Sequence, residues 1–196
     1  MACQNQTHAV FSPAPSPSPR VEPAAAVLQA SDVPAGLSIC LGSGPIDVYL
    51  AGLAQTDATL ASQESGMWQQ MQALGADAGA ISIFTSTSAA CDSDLGATQT
   101  ARAAAGFVAR FKDAAEADRA WQQGVFGFAP PAPGELAPGV TRGVNTGLGL
   151  SSFTYVRGTT SLASWRHGDF VALVVLSNLD AATFKAAAGA IDARLD

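Results

Sequence analysis

A chain of 196 residues, 48% of them hydrophobic, can bury one sizeable core, and its length favours one domain over two. Charged residues are only 13%, about half the usual share of ~25%, which argues against a disordered chain. A net charge of −6, with ten Lys and Arg scattered along the sequence, leaves no phosphate-neutralising stripe and excludes nucleic acid as the expected partner.

Residues 1–23 differ from all that follows. Cys3 precedes a polar stretch and then the run Ser12-Pro-Ala-Pro-Ser-Pro-Ser-Pro19, a semi-extended spacer that cannot form a core. A cysteine after a small residue, followed by such a tether, resembles the start of a mature bacterial lipoprotein. That resemblance implies a diacylglycerol group on Cys3 and a partner in the membrane. Only Met1 and Ala2 precede the cysteine, so a processed precursor is the expectation. The alternative is a free thiol near a disordered start. Asn5-Gln-Thr7 has the form of a glycosylation sequon, a weak motif.

The folded domain is expected over 24–196. Pro23 opens a short helix that Ser31-Asp-Val-Pro-Ala-Gly36 stops. A second helix is predicted over 45–54, with Ile46, Leu50, Leu53 and Ala54 on one face. A third starts at Asp57 or Ser62 and carries Met67, Trp68, Met71 and Leu74 at helical spacing until Gly75 ends it. Cys40 and Cys91 both sit in loop-like surroundings. An even pair in an exported domain suggests a disulfide, and a bridge closing a loop of this length is worth roughly 4 kcal/mol in the chain-entropy model. Two separate buried thiols are the alternative, and a redox-active pair ranks below both because no Cys-x-x-Cys spacing exists.

The first strand is predicted over 80–86, with Ile81 and Ile83 on one face and Phe84 on the other. Asp92-x-Asp94 has too few oxygen ligands for a calcium loop and reads as a solvated turn. The next strand, 103–112, alternates Phe107, Ala109 and Phe111 against Val108, Arg110 and Lys112. Asp113 then caps a helix, with Glu116 in capping-box position and Ala117, Ala120 and Trp121 on the buried stripe. From 126 to 150 the chain is rich in proline and glycine and reads as one long surface loop. Phe126, Phe128 and Leu136 would either lid an apolar pocket or pin this loop to the sheet.

Three strands follow, 151–157, 160–166 and 170–176, with turn chemistry at Gly158 and at His167-Gly-Asp169. The last has no polar break and is rich in β-branched residues, so it should be a central strand covered on both faces. A closing helix begins at Asp180 and places Phe184, Ala187, Ala188, Ile191 and Leu195 on one stripe. The sum is an α+β domain: an antiparallel sheet of about five strands, helices mainly on one face, and a C-terminal amphipathic helix. A helix-packed cone of the NTF2 kind is the alternative.

Catalytic constellations are scarce. His8 falls in the spacer, and His167 could join only Asp169 and some serine, where Asp169 more simply supports the hairpin. Glu22, Glu64, Glu116 and Glu135 fall in linker, helix surface or loop, so no paired carboxylates are visible. No metal-ligand spacing and no cofactor motif is present. Arg110, Arg157 and Arg166 lie on strands and are a candidate anion face if they converge, and otherwise a solvated one.

Three stretches carry a further resemblance: Ser31-Asp-Val-Pro-Ala-Gly36, Val108-Ala-Arg-Phe-Lys-Asp-Ala-Ala-Glu-Ala117 and Ser164-Trp-Arg-His-Gly-Asp-Phe-Val-Ala172. With the order of elements, they resemble PsbP-like α/β lipoproteins and the extracellular sensor domain of mycobacterial serine/threonine kinases. The resemblance spans 24–196 and implies binding, sensing or lipid carriage at the cell envelope, with an envelope ligand or protein as partner. No residue role carries over. Those sensor domains tend to hold more than one disulfide, whereas one can form here. The expectation is a non-enzymatic, lipid-anchored, extracytoplasmic binding or sensor module. A carrier of an apolar, lipid-like ligand is the first alternative and a hydrolase the second.

Overall fold

The structure, a computed structural model, describes residues 20–92, 95, 97–134 and 136–196. Cys3, Asn5, His8, Asp94 and Glu135 lie outside them. The strand that the composition makes most apolar is the middle of the molecule. β8 (Phe170–Ser177) is buried at all eight positions and runs between β4 (Ala103–Phe111) and β7 (Thr160–His167). Its odd residues Val171, Leu173 and Val175 join one core cluster and its even residues Phe170, Ala172, Val174 and Leu176 join another. Strict alternation across a doubly covered strand makes each such side chain worth roughly 2 kcal/mol of burial.

Around β8 the sheet is antiparallel at every pairing, in the order β1 (Ser38–Ile39), β3 (Ala76–Thr85), β4, β8, β7, β6 (Ser152–Arg157), β5 (Val140–Arg142). β2 (Gly44–Pro45) shares with β1 the outer edge of β3. The β6–β7 and β7–β8 turns place Gly158 and Gly168 at φ +59° and +56°, the first loop position, where a II′ hairpin turn needs positive φ.

Eight strands replace the five expected. The added ones are too short to leave an alternating signature. β1 and β2 have two residues each, and β5 has three inside the proline-rich stretch that reads as loop. β5 is held because Gly139 brings its carbonyl to the Val156 N–H at 2.9 Å. A side chain at 139 would put its Cβ 2.2 Å from the Val156 oxygen.

Helices lie over both faces. α2 (Ile46–Thr56), α3 (Ala58–Ala73) and α4 (Ala114–Gln123) share a cluster with the odd residues of β8, and α1 (Pro23–Ala26) and α5 (Ala181–Asp192) with the even ones. Packing thus extends to both faces, three of the described helices on one and two on the other. That replaces the helix-packed cone by an open sheet between two helical layers. The reason is that β3, β4 and β8 are apolar on both faces, so each face needs a cover. Asp57, Asp113 and Asp180 cap α3, α4 and α5 by accepting first-turn N–H groups, each worth about 1 kcal/mol.

The domain takes hold earlier than Pro23. Val21 packs against the α1/α5 cluster, and the Glu22 carboxylate lies 2.9 Å from Arg110. Arg194 near the end of the chain donates to Ala26 O, Val27 O and both oxygens of Asp32, fastening the first described segment to α5.

Candidate functional site

The arginines do not converge. Arg110 shares the α1/α5 face with Val108, where a register shift between Ala76 and Ala78 turns Asp77 toward it, 2.8 Å from its Nε. That bond first, and the one to Glu22, outweigh burial and raise its pKa above the ordinary value. Arg166 lies on the opposite face, its Nε 3.2 Å from Asp118 of α4, and Arg157 is exposed beside the β6–β7 turn. The candidate anion face is therefore divided between two sides of one sheet.

The aromatic loop residues also part company. Phe126 is buried, with its ring edge-on to Phe107 at 4.7 Å, and φ +46° holds it there. The space beside it, against Met67 and Met71, is about 60 Å³, too little for an organic ligand. Phe128 and Leu136 are 37% and 48% exposed. Phe126 thus pins the loop, and the three do not form one lining.

His167 is engaged by carboxylates that the hairpin motif did not suggest. Its Nδ1 lies 2.9 Å from Asp192 and its Nε2 3.0 Å from Asp196. Trp165 Nε1 donates to the same Asp192 oxygen at 2.9 Å. Asp169 instead offers its backbone carbonyl to the Phe111 N–H. Among the described residues no serine hydroxyl hydrogen-bonds to His167. The cluster ties α5 and the residues after it to the β7–β8 hairpin.

The chain does build a concave site, at the other end of the sheet. Cys40 and Cys91 form a disulfide across 51 residues, with Cα atoms 5.6 Å apart. It joins the turn that follows β1 to the short 3-10 helix Ser88–Asp92 that follows β3. Between these two segments and α2 lies a groove of about 550 Å³. Tyr49 and Leu53, both buried, come from α2, while Ile39 and Leu41 stand 58% and 101% exposed at the mouth. Thr56, Ser86, Thr87 and Ser88 add exposed hydroxyls. Gly52 and Gly42 face each other: a Cβ on Gly52 would lie 4.0 Å from Gly42 Cα, so α2 and the turn can stand close while the groove stays open.

Among the described residues no Asp, Glu, Lys, Arg or His lines the groove. Among the described residues no base hydrogen-bonds to the Thr56, Ser86, Thr87 or Ser88 hydroxyl, and a charged ligand group would lose water with no counter-charge from the described lining. One carboxylate lies behind the wall. Glu64, predicted on a helix surface, is fully buried and accepts from the Tyr49 hydroxyl at 3.4 Å. It occupies the stripe Ala61, Glu64, Trp68, Met71, spaced i, i+3, i+7 and i+10. A glutamate in phase with Trp68 and Met71 was the available signal. Trp68 belongs to this core, its ring where a Cβ on Gly79 would stand, 2.8 Å away.

Compared with protein-family models, with curated proteins and with solved structures, the chain matches none.

Proposed function

We propose that this domain is a non-enzymatic binding or sensor module of the cell envelope, tethered to the membrane through a lipid on Cys3. Its ligand site, in this reading, is the disulfide-bordered groove. The observation that carries the reading is the groove itself: a concavity of about 550 Å³ with an aliphatic mouth, a tyrosine and leucine wall and no charged lining residue among the described ones. Volumes of this size suit a small organic ligand or the apolar part of a larger one. The Cys40–Cys91 bridge fits an oxidising compartment.

The test uses a neutral fluorescent probe, N-phenyl-1-naphthylamine, titrated into the native protein and into Gly52→Leu. Gly52 lies within a helix, and a Cβ there meets only Gly42 Cα, at an ordinary 4.0 Å, so leucine there reaches into the groove and favours the helix by about 1 kcal/mol. Saturable emission from the native protein, weakened at least about tenfold in the variant with no loss of melting temperature, is the expected result. Equal binding by both proteins would remove the groove as the site. Anchoring is tested separately: a Cys3→Ala precursor that still sediments with membranes would refute it.

The apolar wall favours, as a second reading, a carrier of a lipid-like ligand. Lipid extracted with the purified protein and identified by mass spectrometry would favour the carrier over the sensor. The hydrolase reading has less support, since neither the groove nor His167 pairs a serine with a base among the described residues.

A further inference from the structure

We infer that the Cys40–Cys91 disulfide is a redox latch on the groove, so that a dithiol reductant releases what the oxidised protein binds. The inference rests on the groove being the ligand site. Both cysteines line it, and each belongs to a different wall. The wall carrying Cys40 has little else to fasten it. β1 is two residues long at the sheet edge, its turn is anchored by the Cys40 N–H to Ile83 O at 2.7 Å, and Ser43 Oγ accepts from the Ile83 N–H at 3.1 Å. The wall carrying Cys91 is a single 3-10 turn. The Thr85 hydroxyl lies beside the bridge, 3.7 Å from Cys40 Sγ and 3.5 Å from Cys91 Sγ. The α2 wall, by contrast, is buried through Ile46, Tyr49 and Leu53 and does not depend on the bridge. Local opening free energies follow such differences in buried contact, so the two short segments open first when the covalent tie is cut.

The chemistry has an approach from the groove side. Cys91 is half-buried whereas Cys40 is buried, so an incoming thiolate reaches Cys91 Sγ more readily. It forms a mixed disulfide there and displaces Cys40 as thiolate, which takes up a proton. The second thiol of the reductant then attacks its own sulfur in the mixed disulfide and frees Cys91. Two protein thiols are gained and one dithiol becomes a disulfide, a balanced transfer of two electrons and two protons. Reoxidation by a disulfide of the same compartment restores the latch.

The experiment compares N-phenyl-1-naphthylamine titrations of the native oxidised protein, the same protein after dithiothreitol in native buffer, and Cys40→Ser/Cys91→Ser. Hydrogen exchange is followed in all three. Affinity should fall at least about tenfold on reduction and in the double variant, and return on reoxidation of the native protein only. Exchange should quicken at the Cys40 and Ala90 amides while those of Phe107 and Val174 stay protected. Equal affinity before and after reduction overturns the latch and leaves the groove reading standing. Absent binding by the oxidised protein overturns the groove reading and the latch with it. Loss of protection throughout the sheet on reduction would make the bridge a global staple, and also overturns the latch.

Discussion

The centre of the sheet and one of its edges solve different problems with the same few residue types. Around β8, continuous burial, paired hairpins and α5 hold each residue by many neighbours. At the β1 and β2 edge, two-residue strands, one covalent bridge and a handful of hydrogen bonds hold two walls apart around an open groove. The comparison teaches that in a chain poor in charge, rigidity comes from apolar alternation and openness from small neutral residues. Alanine and valine fill the centre, and serine, threonine and glycine frame the edge.

The sharpest way to break this contrast is Leu173→Ala in β8. Removing a side chain that is 1% exposed should cost about 3 kcal/mol of unfolding free energy by urea denaturation, through lost burial and the cavity left behind. A loss below about 1 kcal/mol would show the centre to be less tightly held than its packing implies.

Next in size is Asp32→Asn, which cuts Arg194 from its carboxylate. Burial opposes ionisation of Asp32, but the hydrogen bonds from Arg194 and the Gln29 N–H, with the guanidinium charge, outweigh it and hold the carboxyl below its ordinary value of 3.8. A folded-state pKa below the unfolded one adds stability that is fully present above pH 3.8 and lost as pH falls through the lower, folded value. The variant should therefore be weaker by about 2 kcal/mol at neutral pH. In strong acid it should approach the native protein, as pH-dependent thermal melts would show. A deficit that stays constant into strong acid would assign the loss to packing.

The smallest effect sharpens the contrast from the open side. Leu41→Ser, at a residue 101% exposed, should leave urea stability within about 0.5 kcal/mol. It should nevertheless weaken N-phenyl-1-naphthylamine, since it removes aliphatic surface from the groove mouth. A stability change as large as that of Leu173→Ala would place Leu41 in a core instead.

What could be read ahead of the structure follows the same division. The β6 to β8 meander, its two glycine turns and the Asp180-capped helix were legible because alternation, turn residues and helical spacing all agree there. The disulfide partners were legible from an even pair of cysteines in the domain. β1, β2 and β5 were not, because two or three residues cannot display a period. The groove was hidden for another reason: its walls come from three separated stretches, and serine, threonine and glycine in loops look alike whether or not they frame a site. Glu64 was assigned to solvent because a glutamate is seldom fully buried, although its phase on α3 matched Trp68. The arginines failed as a cluster because residue parity, not proximity in the chain, decides which side of a strand each one takes.

The place of β8 also bears on how the molecule is made. Ala103 pairs with Ser177 and Arg110 with Phe170, so β4 emerges from the ribosome long before the neighbour that completes its edge. Until that neighbour is translated, β4 pairs with β3 alone, with its other backbone edge unsatisfied and the α5 share of its cover missing. Closure of the sheet is thereby deferred to the late steps of synthesis, and the nascent polypeptide stays threadable for most of its elongation.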